Sequence, residues 1–387
     1  MIRNRILFIA LWILSLVGIS FYGGPISYGF FIMMTMIPVL SFGYLLAVRM
    51  RFSIYQRLEG KTFVSNNAIP YYFTLQNEDW FAFSSVRVFF YADFSTVLDL
   101  KDGEEYELLP GDEITRDTTL ICRYRGTYKV GITSVMLTDF LRLFRIRYNN
   151  PEPLEVTINP QVYHFTELKS FNLSRILSRE YPAGRTVLDP TVRDYAPGDD
   201  RRRIHWKATA RTGKLMSRLE TGEEQQNISI ILSTCRYNRK PADYLPVENR
   251  MLEIALAIAR FFLTQNIPVR AYHREEALSE NSVSNNASFA EYYEVLSKTF
   301  FFPNQTDSRL FESLRGADAV LTGRAAFLIL GKWNASAEDF VRLLNANGVS
   351  VVVYIVSPAA SDFPEGLSFP RTELIPISPD AKLEEVL

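Results

Sequence analysis

From Ile6 to Val48 the chain carries no charged side chain. Gly23, Gly24 and Pro25 break this run into Ile6–Tyr22 and Ile26–Val48. Each part reaches the roughly 17–25 residues that a helix needs to cross hydrocarbon, the first near the minimum. Backbone amides in lipid must be satisfied within their own segment, so both parts are expected to be helical. Pro38 is expected to bend the second. Arg3 and Arg5 precede the first segment, Arg49, Arg51 and Arg57 follow the second, and the turn has no charge. The positive-inside rule then puts both termini and the bulk of the chain in the cytoplasm. "MIRNR" followed by "ILFIALWILSLVG" also has the parts of a secretory signal. No A-x-A-like cleavage site follows, however, and a second long apolar segment does. The expectation is a two-span hairpin over residues 1–51 in the cell membrane, with the lipid bilayer as a partner.

The remainder has the makings of real cores. The whole chain of 387 residues is 47% hydrophobic with a net charge of -1, which carries no global nucleic-acid signature. Two distant cysteines, Cys122 and Cys235, fit a reducing compartment rather than a disulfide framework. His164, His205 and His273 have no metal-ligand spacing, so a zinc site is not expected.

Residues 52–160 read as a β-sandwich or barrel. "YYFTLQNE" (71–78), "SSVRVFFYADF" (84–94), "TTLICRYRGTYKVGITSVML" (118–137) and "LEVTINP" (154–160) are rich in β-branched and aromatic residues, with turn residues between them. Pro110-Gly111 marks a turn, and "RYRGTYKVG" reads as two short strands about Gly126. "EGKT" (59–62) ends like a phosphate-binding loop, but the position of its leading glycine is Tyr55, so that reading fails.

The densest polar chemistry lies in "VRDYAPGDDRRRIHWKATARTGKL" (192–215), within a linker expected over 161–226. Pro197-Gly198 suits a type II turn. Asp199 or Asp200 can cap a short helix running through about Ala210, with Gly213 ending it. On that helix Arg203, Lys207 and Arg211 would form one cationic stripe at i, i+4, i+8. From Arg193 to Arg218 eight Lys/Arg stand against three Asp, a local net of +5. Such a stripe can hold a phosphate or anionic lipid, contact acidic groups of a partner, or lock a domain junction through Arg–carboxylate forks, with Trp206 over the arginine stems. Neither a Ser-His-Asp nor a Cys-His arrangement is discernible, so no catalytic residue is assigned.

These residues resemble the hallmark of the domain-of-unknown-function-58 family. Arg193, Tyr195, Gly198, Asp199, Arg202 (or Arg203), Ile204, Trp206, Thr209, Ala210, Arg211 and Leu215 stand at its fixed positions. The wider layout is similar too: two N-terminal spans, a β-module with "YRGTYKVG" and "TDFLRLFR" (138–145), the hallmark, then an α/β region. The resemblance implies a bacterial membrane-anchored protein, often encoded beside a MoxR-type AAA+ ATPase and von Willebrand A-type proteins. It suggests a role in assembling or maturing protein complexes.

Residues 227–387 alternate buried strands and amphipathic helices. Strands are expected at 227–233, 267–273, 325–331 and 349–357, helices at 247–266, 288–299, 306–315 and 336–347, and a polar loop at 275–286. The pattern predicts a doubly wound parallel sheet and resembles a von Willebrand A domain. In that fold a D-x-S-x-S run after the first strand gives oxygens to a divalent metal. The matching positions here are Ser233, Cys235 and Tyr237, with Arg236 between the last two. A hard cation needs carboxylate and hydroxyl ligands, so the metal site is expected to be degenerate, with no cofactor. The reading is a non-enzymatic membrane scaffold or adaptor, binding protein partners and no nucleic acid. Arg193, Tyr195, Gly198, Asp199, Arg202, Arg203, Trp206, Lys207 and Arg211 would serve a junction or a partner. The alternative is a protein or enzyme that binds phosphate or another anion through the same motif.

Overall fold

A computed structural model describes residues 1–168, 192–194, 204–218, 228–303, 306–359, 362–363 and 369–386. It divides into two compact units, 1–161 and 162–387.

The first unit begins with α1 (Ile2–Tyr22) and α2 (Pro25–Arg51). Both are long and apolar enough to cross a membrane. They form an antiparallel pair in which Trp12 Nε1 donates to Thr35 Oγ1 at 3.2 Å and the Trp12 and Phe31 rings lie 5.9 Å apart. Pro38 lies inside α2.

Eleven short strands follow: β1 (Ser53–Leu58), β2 (Thr62–Val64), β3 (Ala68–Gln76), β4 (Phe83–Phe90), β5 (Ser95–Val97), β6 (Glu104–Leu108), β7 (Glu113–Cys122), β8 (Gly126–Val130), β9 (Ile132–Thr138), β10 (Arg145–Asn149) and β11 (Leu154–Asn159). They build two four-stranded sheets, β1-β3-β7-β5 and β10-β9-β4-β6, and a three-stranded sheet β2-β11-β8. Burial along β3 alternates, as period-two patterning requires. Its Ile69, Tyr71, Phe73 and Leu75 share one core with Phe83, Val86 and Val88 of β4 and with Val135 and Leu137 of β9. Gly131 joins β8 to β9 at φ +81°. A Cβ there would stand 2.5 Å from Gln56 Oε1, which accepts from Tyr71 and from the Ile132 amide.

Leu45 and Val48 of α2 and the following Phe52 belong to that same core. The junction is polar as well. Asp139, fully buried after β9, accepts from Ser41 Oγ of α2 and from the Phe144 amide at 2.6 Å. Asn4 and Arg5 of α1 donate to the Leu141 and Leu143 carbonyls at 3.0 and 2.7 Å.

In the second unit, β12 (Val192–Asp194) pairs antiparallel with β13 (Met216–Arg218), and α3 (Trp206–Thr212) lies between them in the chain. The main sheet uses β14 (Ile228–Leu232), β15 (Val269–Arg274), β16 (Leu278–Val283), β17 (Ala325–Leu330), β18 (Ser350–Val356) and β19 (Thr372–Ile377), in the order β16-β15-β14-β17-β18-β19. The helices are α4 (Pro241–Thr264), α5 (Asn286–Lys298), α6 (Asp307–Arg315), α7 (Asp318–Leu321), α8 (Ala335–Ala346) and α9 (Leu383–Val386). One face of the sheet packs on Leu252, Ala255, Leu256 and Phe262 of α4 and on Tyr292 and Leu296 of α5. The other packs on Leu310 and Phe311 of α6 and Phe340, Val341 and Leu344 of α8. Helices on both faces bury both sides of each strand, which is why β14, β17 and β18 read as continuous apolar runs. Val162, Tyr163, Phe165 and Leu168 also pack on this unit's core.

The sheet departs from the expected wholly parallel form at one edge. β16 runs antiparallel to β15, in a stretch expected to be loop. Its sequence LSENSV is too polar for a buried strand, but suits an edge with one wet face. β19, parallel to β18, closes the other edge and was not foreseen either.

Replacing Asp139 by Ala strips the acceptor from Ser41 and Phe144 where α2 enters the sandwich. The detergent-solubilised chain should lose about 2 kcal/mol of stability. An unchanged melting temperature would contradict this account of the junction.

Candidate functional site

The hallmark segment folds locally around α3. His205 caps the helix, its Nδ1 accepting the Ala208 amide at 3.1 Å, and Gly213 ends it in the left-handed region at φ 70°. The Met216 amide donates to Thr209 Oγ1 at 3.0 Å and the His205 amide to the Met216 carbonyl at 2.8 Å, tying α3 to β13. Arg193 sits in β12 opposite Ser217. The Gly213 terminator is as expected. The start of the helix differs from the expectation: it begins at Trp206 with His205 as its cap, while Asp199 and Asp200 lie outside the described residues. Arg203 precedes α3, so the stripe on the helix reduces to Lys207 and Arg211, one turn apart and both exposed. Trp206 is 68% exposed. Tyr195, Gly198, Asp199, Arg202 and Arg203 lie outside the described residues.

A second cluster lies at the C-terminal ends of β14 and β17. From β14 the chain moves outward to β15 and β16, then returns to the other side of β14 as β17. Such a reversal opens a crevice beyond the strand ends, where doubly wound sheets place their ligands. Ser233 and Tyr237, on the loop after β14, meet there with Asp307 at the start of α6 and Asn334 on the loop after β17. The Asp307 carboxylate is fully buried. Its Oδ1 accepts from Ser233 Oγ at 2.5 Å, and its Oδ2 accepts from the Tyr237 hydroxyl and from Asn334 Nδ2 at 3.0 Å. Asn334 Oδ1 meanwhile accepts the Ala337 amide at 2.8 Å and caps α8. One carboxylate thus joins three loops.

The neighbouring groups add protons rather than negative charge. Burial, and next the Asp307 carboxylate, push the Tyr237 hydroxyl far above its ordinary range. The same two causes push the buried Cys235 thiol up to about 12. Both stay protonated at neutral pH. Arg236 turns away from the crevice. Its guanidinium forks onto Glu248 of α4 at 2.5 and 3.1 Å and lies 3.7 Å over the Tyr244 ring. The Arg236 backbone amide donates to the Phe302 carbonyl at 3.0 Å.

The divalent metal that a von Willebrand A resemblance implies does not fit this donor set. Asp307 already takes three hydrogen bonds, Cys235 is a protonated soft ligand, and Tyr237 fills the place of a small hydroxyl side chain. Among the described residues no group of three or more His, Cys, Asp or Glu could hold a metal ion. Asp307 and Asn334 escaped the sequence reading because each stands where a helix begins, and an acidic residue or asparagine at a helix start is the ordinary capping signal.

Asp307→Ala should destabilise the chain by about 2–4 kcal/mol, since the buried Ser233 and the partly covered Tyr237 and Asn334 all lose one acceptor. Tyr237→Phe should cost only about 1 kcal/mol. Denaturant unfolding of both variants checks the order; equal, negligible losses would contradict a shared lock. Cys122, pushed up to about 11 chiefly by its own burial, and Cys235 should both resist alkylation at pH 8 until the chain unfolds. Rapid modification of Cys235 in native protein, read by mass spectrometry, would show an open crevice, and of Cys122 an open sandwich core.

Three solved structures that the chain resembles overlap it weakly. The CARDB domain of a Pyrococcus furiosus protein, in complex with di-metal ions, aligns over 28% of this chain and 91% of its own at 13% identity, with a TM-score of 0.19. Salmonella alpha-2-macroglobulin aligns over 34% of this chain and 9% of its own at 10% identity and TM-score 0.20. A GH20 exo-β-N-acetylglucosaminidase of Vibrio harveyi aligns over 80% and 57% at 9% identity and TM-score 0.18. Overlap at this level carries no argument. No curated protein matches the chain. One family does: residues 191–279, from the hallmark through α4 to β16, match the family described as "Protein of unknown function DUF58".

Proposed function

We propose that the chain is a non-enzymatic, membrane-anchored scaffold or adaptor that serves the assembly or maturation of protein complexes. In this reading α1 and α2 cross the bilayer with both termini on the cytoplasmic side. The second unit is a von Willebrand A-like domain with degenerate metal positions at Ser233, Cys235 and Tyr237. A MoxR-type AAA+ ATPase and von Willebrand A-type proteins are its partners.

One observation carries the reading. The crevice where this topology would place a ligand is filled by the chain's own Ser233, Tyr237 and Asn334 closing on Asp307. Three of the roughly four acceptor sites of the Asp307 carboxylate are thereby taken by the chain itself. What the hallmark offers instead is surface: Trp206, Lys207 and Arg211 are exposed on a helix fixed at both ends. An exposed aromatic beside two cations is the composition of a protein-binding hot spot.

Co-purification of tagged full-length protein from its native membranes tests this. A AAA+ ATPase should accompany the parent chain and be lost from Trp206→Ala and Arg211→Ala, with melting temperatures unchanged because both side chains are exposed. A parent chain that emerges alone, and that phosphate stabilises in a Lys207-dependent manner, would replace this reading with the anion-binding one.

A further inference from the structure

The sandwich end nearest the helix pair presents apolar side chains that the fold leaves uncovered. Trp80 is 86% exposed, Phe140 57%, Leu109 54% and Leu141 36%. They stand on three loops, 77–82, 109–112 and 139–144, that the chain holds firmly in place. The buried Asn77 donates to the Phe81, Leu108 and Leu109 carbonyls at 2.9, 3.2 and 3.0 Å. Its own carbonyl accepts the Gly111 amide, and Asp112 accepts the Leu109 amide at 2.8 Å. Asp139 pins the third loop through Phe144. These side chains are displayed by design of the backbone, not by fraying.

Their level relative to the helices follows from two independent contacts. The Trp12–Thr35 bond sets the antiparallel register, which brings Arg5 level with about Phe42. Arg5 donates to the Leu143 carbonyl, and the Phe42 ring lies 5.8 Å from that of Phe144, so loop 139–144 meets both helices at that level. This is also where hydrocarbon must begin: Arg3 and Arg5 end the apolar run of α1, and Ile6–Tyr22 is about 25 Å long at 1.5 Å per residue. Beyond it, Leu45 and Val48 of α2 are already buried in sandwich core rather than lipid. Tyr44 links the remaining rings, its centroid 5.5 Å from Phe140 and 5.9 Å from Phe81, with Trp80 5.6 Å from Phe81.

We propose that this aromatic edge is a second, lipid-facing contact: Trp80, Phe140, Leu141 and Leu109 lie in the cytoplasmic head-group region of the bilayer and seat the sandwich flat on the membrane. The inference rests on the membrane-anchored reading above. The bilayer is the occupant because the patch is continuous with the ends of the two spans. Trp and Tyr gain most at this depth, where an apolar ring meets lipid and a polar edge meets water. Glu78 and Asp79 beside Trp80, and Arg142 beside Leu141, keep the loops at head-group depth and out of the hydrocarbon.

Full-length protein in phosphatidylcholine–phosphatidylglycerol vesicles provides the test, with lipid brominated near the head-group end of its acyl chains as the quencher. One variant keeps only Trp12 and a second only Trp80, the other tryptophans being changed to Phe. A third carries Phe140→Trp and no other tryptophan. Trp80 and the residue-140 reporter should each lose at least half as large a fraction of their emission as Trp12 does. Quenching of Trp12 without either sandwich reporter would overturn the seating while leaving the anchor intact. Loss of quenching at all three would overturn the anchor and the seating together. Quenching at the two sandwich reporters but not at Trp12 would overturn the anchor and keep the edge as a peripheral membrane contact.

Discussion

The buried Asp307 carboxylate decides what the second unit is. It stands where the chain reverses direction across the sheet, the place this topology leaves open. An unpaired carboxylate buried there would be costly, and the fold meets that cost with three donors from two neighbouring loops. The arrangement fixes the loop after β14, orders the start of α6 and shares Asn334 with the cap of α8. What would be a reactive crevice is thereby a structural knot. Apart from that crevice, the segment around α3 leaves Trp206, Lys207 and Arg211 exposed.

The first unit follows a different constraint. Two apolar helices ordinarily end in a linker, but here α2 runs on into the sandwich and gives Leu45, Val48 and Phe52 to its core. The Ser41–Asp139 contact and the bonds from Asn4 and Arg5 close the joint. The helix pair and the sandwich therefore form one body, and the position of the helices fixes that of the sandwich loops carrying Trp80 and Phe140.

Long periodic or uncharged segments were legible in the sequence. The two long apolar helices, the principal strands of the sandwich and the strand–helix alternation from β14 onward follow from patterning that each local stretch carries by itself. What escaped was non-local. β16 reads as a polar loop because an edge strand needs apolar residues on one face only. Asp307 and Asn334 read as helix starts because their caps are local and their meeting with Ser233 and Tyr237 is not. The positions Ser233, Cys235 and Tyr237 stand out in the sequence, but the hydrogen bond from Tyr237 to Asp307, 70 residues on, is not visible there. The cap of α3 also escaped, because histidine is not among the usual capping residues, yet the His205 ring takes the Ala208 amide.

The claim that this crevice is closed by the chain itself is most directly tested by calorimetric titration of the solubilised full-length protein with Mg²⁺ and Mn²⁺. The account predicts no saturable heat, and a baseline identical to that of Asp307→Asn. A saturable binding isotherm that Asp307→Asn abolishes would contradict it, because Asp307 would then be a ligand and the three donors its second shell.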